Sequence, residues 1–187
     1  MPEAPEPTHL DDELDAVLIG GRERVRIELA TSDPGWLARF ELERSRIADA
    51  LGDAARRIEH IGSTAVPGLA AKPIIDVLVE VDDPDAEGTY GPALEAAGLE
   101  LRVREPGHRM FRTPERDVHV HVWPSGSREA AAYLELRNHL RAHPGDRQRY
   151  AQVKRALAGR EWRDMNYYAE AKGDVLREIR DRMQGGL

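Results

Sequence analysis

Asp76, His119 and His121 raise the chemical question in this sequence. Asp76 interrupts the aliphatic run "PIIDVLVEV", and an ionised carboxylate in hydrocarbon costs several kcal/mol unless a cation, a metal or hydrogen-bond donors meet it. His119 and His121 stand two apart in "DVHVHV", so in a strand both imidazoles point to one face. If the two strands are neighbours, an Asp and two His form a three-ligand site for a divalent cation. That donor set suits Zn, Mn or Fe better than Mg, which prefers oxygen. The same spacing also fits a polar ladder coating an exposed sheet face, with Asp117 pairing with Arg112 across a hairpin.

Gly62-Ser63-Thr64 follows a short apolar run. Backbone amides and hydroxyls in such a turn can hold a phosphate, although the tripeptide also serves as a plain connector. It is not a P-loop, because Lys72 lies four residues after Gly68 and precedes Pro73. Asp76, thirteen residues after Ser63, shares its sheet face with Leu78 and Glu80. Arg104, His108, Arg109 and Arg112 offer donors to phosphate oxygens, or are solvated surface groups. Tyr150 and Lys154 stand four apart, as do Tyr168 and Lys172, so each pair shares a helix face. Their lysines either meet phosphates or snorkel outward over packed rings. There is no nucleophile elbow and no H-E-x-x-H.

Arg24–Leu29 alternates as a half-buried strand. Asp33-Pro34 opens a helix running to Gly52. Strands cover 57–61 and 73–81, the second apolar enough for a central position, and a helix spans 84–97. A short strand begins at Leu99. A hairpin then joins Gly107–Arg112 to Asp117–Trp123, its expected register setting Arg112 opposite Asp117, Met110 opposite His119 and His108 opposite His121. Three helices, 127–142, 145–158 and 164–183, close the chain.

With 187 residues and 41% hydrophobic content, the chain has material for one domain. Residues 1–22 read as a disordered acidic leader and 23–187 as the domain, of which 126–187 is a helical portion. The absence of cysteine excludes disulfides, thiolate metal sites and thiol nucleophiles. No basic apolar signal or membrane span is readable, so the expectation is a cytoplasmic protein with no membrane partner. The net charge of -7 divides into -11 over residues 1–126 and +4 over 127–187. An acidic protein is a poor binder of nucleic acid, so no nucleic-acid partner is expected. The split fits a phosphate-bearing ligand held between acidic and basic halves, or simply Arg-rich solvated helices.

The segments "IEHIGSTAVPGLAAKPIIDVLVEV", "RMFRTPERDVHVHV" and "LRNHLRAHP", with the Tyr-x-x-x-Lys pairs, resemble the GrpB, or UPF0157, family from Val25 to Met183. That family is similar to the nucleotidyltransferase superfamily of DNA polymerase beta type, and a related domain occurs fused to bacterial dephospho-CoA kinase. The resemblance implies an α+β fold, a mixed central sheet of nucleotidyltransferase type with flanking helices and a C-terminal helical portion. In that superfamily a Gly-Ser turn holds a nucleotide's triphosphate, while a D-x-D pair and a later acid hold two Mg ions. By position, Gly62 and Ser63 match the turn and Asp76 the first acid. Leu78 stands where the second acid belongs, and the later strand offers His119 and His121.

The resemblance and the residues together give Asp76 and Ser63 as catalytic. Gly62, Ser63, Thr64, Lys72, Arg109, Arg112, Lys154 and Lys172 are the groups for a nucleotide or phosphorylated small molecule. Asp76, His119 and His121 hold a divalent Mg, Mn or Zn. Two function classes follow: a metal-dependent nucleotidyltransferase, or a catalytically reduced binding or assembly module for a partner enzyme such as a dephospho-CoA kinase-type protein.

Overall fold

The computed structural model describes residues 9–185. Its elements are α1 (His9–Val17), β1 (Val25–Arg26), α2 (Gly35–Leu51), β2 (Arg57–Ile61), β3 (Ile75–Val81), α3 (Gly91–Ala96), β4 (Glu100–Glu105), β5 (His108–Arg112), β6 (Val118–Pro124), α4 (Arg128–Ala142), α5 (Pro144–Leu157), β7 (Glu161–Trp162), α6 (Met165–Glu170) and α7 (Gly173–Gln184). The central sheet has the order β2-β3-β6-β5-β4; β3 and β6 run parallel and the other neighbours antiparallel. This is the mixed α+β architecture expected from the sequence.

Period 2 divides the sheet into two chemically distinct faces. Val77, Val79, Val118, Val120, Val122 and Phe111 point to one side, where they pack on Phe40, Ile47 and Leu51 of α2 and Leu94 of α3. Each large apolar side chain buried there contributes about 1.5–3 kcal/mol. α2 begins where Asp33 Oδ1 accepts the Gly35 amide at 2.8 Å and ends at Gly52, with φ at +51°. The other face carries Asp76, His119, His121 and Trp123 beneath α4 and the C-terminal helices.

Several expectations are corrected. The described part of the acidic leader is ordered: α1 buries Leu14, Leu18 follows it into the interior, and Asp11 is held by Arg22, Tyr167 and Arg163. Residues 1–8 lie outside the described residues. The strand over 24–29 shrinks to Val25–Arg26, because its partner is the two-residue β7 and not the central sheet. The 84–97 helix reduces to α3 behind a single 3₁₀ turn, Glu87–Thr89. The last helix divides at Ala171-Lys172 into α6 and α7, where Gly173 weakens continuity.

The hairpin register is also displaced by two residues, so that Arg112 faces His119 and Met110 faces His121. The turn takes in Asp117: Thr113 Oγ1 accepts the amides of Asp117 and Val118, and Arg116 adopts φ of +62°. No helix among the described residues is long and apolar enough to cross a membrane.

Candidate functional site

The parallel register of β3 and β6 sets Asp76 level with His119, and β2 brings Ile61 alongside. Asp76 Oδ1 lies 3.5 Å from His119 Nδ1 and 3.9 Å from His121 Nε2, and one ligand atom from each residue falls within 4.8 Å of the others. Donors on a tetrahedral cation with bonds of about 2.1 Å sit roughly 3.4 Å apart, so small side-chain adjustments complete a three-ligand site. Burial pushes the Asp76 carboxyl up, but the two imidazoles outweigh it and hold the group well below the usual carboxylate range.

The chain enters the cleft at Gly62, whose φ is +71°. A Cβ here would collide with Asp76 Oδ2 and lie 3.0 Å from its Cβ, so glycine lets the turn touch the acid. Ser63 Oγ accepts from Lys154 Nζ at 3.0 Å. The Thr64 hydroxyl borders the cleft but is committed to the Ile74 carbonyl at 3.0 Å and to His60 Nε2 at 3.1 Å. Thr64 therefore shapes the turn.

Opposite the acid stands a wall of lysines. Lys72, Lys154 and Lys172 all line a cavity of about 790 Å³ together with Asp76, His121 and Tyr133. Lys154 is 2% exposed, bonds to the Ala70 carbonyl at 2.5 Å and lies 4.8 Å over the Tyr150 ring. Lys72 and Lys172 approach the Tyr168 ring at 5.2 and 4.5 Å, and Lys72 Nζ also contacts Met165 Sδ. Among the described residues none of the three amines enters an ion pair shorter than 4 Å. Burial, followed by repulsion from the other two, takes Lys154 down to about 7. Burial lowers Lys72 and Lys172 to about 8, partly opposed by Asp76.

Two expected ligand groups lie elsewhere. Arg109 points to the opposite sheet face, bonding Glu87 at 2.8 Å and Asp85 at 3.0 Å. Arg112 shares the Asp76 face but forms a fork with Glu23, both contacts at 2.8 Å. The Arg112 hydrogen bond leads in holding Glu23 down near 2. Both guanidiniums are consumed by acids far away in sequence, so they do not enter the cleft. Among the cavity-wall residues that sequence reasoning missed are Tyr133, Leu136 and Arg180. Only helical spacing on α4 and α7 hints at them.

A mixed five-stranded sheet with a Gly-Ser turn packed on one strand acid, two imidazoles beside it and a lysine wall opposite defines an α+β domain built around a polar cleft. The GrpB protein family matches residues 26–182, and the chain belongs to that family. It is 54% identical over 165 residues to a UPF0157 protein of Streptomyces coelicolor, covering 88% of each chain. It is 45% identical over 177 residues to one of Halalkalibacterium halodurans, covering 92% of this chain and 91% of that one. The crystal structure of conserved protein GrpB from Enterococcus faecalis superposes with a TM-score of 0.65 at 28% identity, covering 81% of this chain and 98% of that one. A dephospho-CoA kinase of Mycobacterium leprae is 33% identical over 177 residues; the match covers 77% of this chain and 43% of the kinase.

Proposed function

We propose that the cleft binds a nucleotide, or another phosphorylated small molecule, together with a divalent cation. The observation that carries this reading is the set of three lysine amines, unpaired by any acid within 4 Å among the described residues, that line one cleft with Asp76, His121 and the Gly62-Ser63 turn. Buried ammonium groups are costly unless an anion answers them, and phosphate oxygens are the anion that both lysines and a cation would share. In this reading the Gly62-Ser63 turn receives the terminal phosphates and the lysines neutralise them. Asp76 and the imidazoles hold the cation, which when bound supplies positive charge to phosphoryl oxygens. Tyr133 and Leu136 provide apolar surface for the rest of the ligand.

Transfer of a nucleotidyl group is the catalytic extension of this reading. A second reading, a binding or assembly module without turnover, is favoured by Leu78: fully buried with Ile61 and Ala130, it puts hydrocarbon where the second acid of a two-metal site belongs. The kinase relative fits such a module carried beside a partner enzyme. Titration with nucleoside triphosphates and the matching nucleosides, with and without Mn²⁺, tests the binding reading. Saturable triphosphate binding strengthened by Mn²⁺ is expected; equal weak binding of both would overturn it. Labelled triphosphates with Mn²⁺ or Mg²⁺ then separate the classes, since products mark a transferase and binding without products a module.

A further inference from the structure

We infer that Glu105 and His108 form an outer hydrogen-bonded chain that fixes which nitrogen His121 presents to the cation, making both of them positioning residues of the metal site. The inference rests on the cation reading of the cleft. His108 is 6% exposed and stacks on Trp123 at 4.1 Å, with 15° between the rings, which holds its ring plane. Its Nδ1 lies 2.5 Å from Glu105 Oε1, and its Nε2 lies 3.3 Å from His121 Nδ1.

An ionised carboxylate only accepts, so His108 Nδ1 carries the hydrogen, and in a neutral ring Nε2 is left as an acceptor. His121 Nδ1 must donate to it, which leaves the His121 Nε2 lone pair aimed at Asp76 Oδ1, 3.9 Å away. A cation placed between that lone pair and the carboxylate oxygen would take both as ligands. Carboxylate–histidine–metal chains orient ligands in this way, and loss of the outer partner typically weakens metal affinity about 10- to 100-fold.

The test compares the unaltered protein with His108→Phe, which keeps a ring against Trp123 and removes both nitrogens. Long-range ¹H–¹⁵N spectra of histidine-labelled protein, recorded well above the ordinary imidazole pKa of about 6.5, report the tautomer without any metal. The expected result is His121 protonated at Nδ1 in the unaltered protein and a tautomer mixture in the variant. Mn²⁺ titration followed by electron paramagnetic resonance should show affinity weakened about tenfold or more. An Nε2-protonated His121 in the unaltered protein, or equal Mn²⁺ affinity in both proteins, overturns this proposal alone. No Mn²⁺ binding by the unaltered protein overturns the cation reading and this proposal with it. Should His108→Phe fail to fold, Glu105→Ala carries the same comparison, because Glu105 sits 39% exposed on the sheet edge.

Discussion

Gly62 and Asp76 touch so closely that residue 62 has no space for a Cβ: the atom would overlap the Asp76 carboxylate, and the backbone there has φ of +71° and ψ of -170°. That region is essentially reserved for glycine and costs other residues about 1–3 kcal/mol. Gly62→Ala is therefore expected to lower Tm by several degrees in a chain of this length and to displace Asp76 from the imidazoles. Calorimetric melting with Mn²⁺ titration checks both; unchanged Mn²⁺ affinity would show that the contact does not position the acid.

Asp76→Ala separates the acid's role in binding from its role in folding. Its nearest imidazole nitrogens, at 3.5 and 3.9 Å, are too far for strong hydrogen bonds, and among the described residues no lysine or arginine pairs with it within 4 Å. The variant should keep its Tm within a few degrees while losing Mn²⁺ and Mn²⁺-dependent triphosphate binding. A structural ion-pair role would show the opposite pattern, a loss of about 3–5 kcal/mol with ligand binding retained.

Strand parity made the acid and histidine cluster legible, because a two-residue error in hairpin register leaves every side chain on its own face. His119 and His121 therefore meet Asp76 although their β5 neighbours differ from those expected. The Tyr-x-x-x-Lys echo likewise brought Lys154 and Lys172 to one cleft, but not the 2% exposure of Lys154, which depends on Ser63 and Ala70 from another part of the chain. Arg109 and Arg112 read as ligand groups because sequence shows donors and not their partners; Glu87 and Glu23 are brought to them only by the fold. The order of α1 was hidden for the same reason, since Asp11 is answered by Arg22 and Arg163, the second of these 152 residues away.

Leu78→Asp would rebuild the D-x-D pattern on paper. Leu78 is 0% exposed and packs with Ile61 and Ala130, with Leu134 alongside. The new carboxylate would replace hydrocarbon packed on Ile61 and Ala130, at a cost of several kcal/mol. The expected outcome is a Tm drop on the order of 10 °C with no gain in labelled-triphosphate turnover. A stable variant that acquires transferase activity would show that the second acid alone was missing.

The lysine wall predicts opposite pH trends for the empty and the liganded protein. Lys154 titrates near 7 and Lys72 and Lys172 near 8 in the fold, whereas an unfolded chain holds its lysine protons to about 10.4. Between those limits the unfolded state binds more protons, so the lysines contribute a rise in the empty protein's stability as pH increases from 7 towards 10. Triphosphate prefers the charged amines, so between pH 7 and 9 its affinity should fall as pH rises. Lys172→Gln should flatten that slope and weaken the triphosphate by about 1.5–3 kcal/mol, roughly 10- to 100-fold, while leaving the nucleoside almost unchanged. Added salt should shrink the difference. Calorimetric titrations of triphosphate and nucleoside across this pH range, at fixed Mn²⁺, give the slopes. A Lys172→Gln slope parallel to that of the unaltered protein would mean that the amine does not meet phosphate.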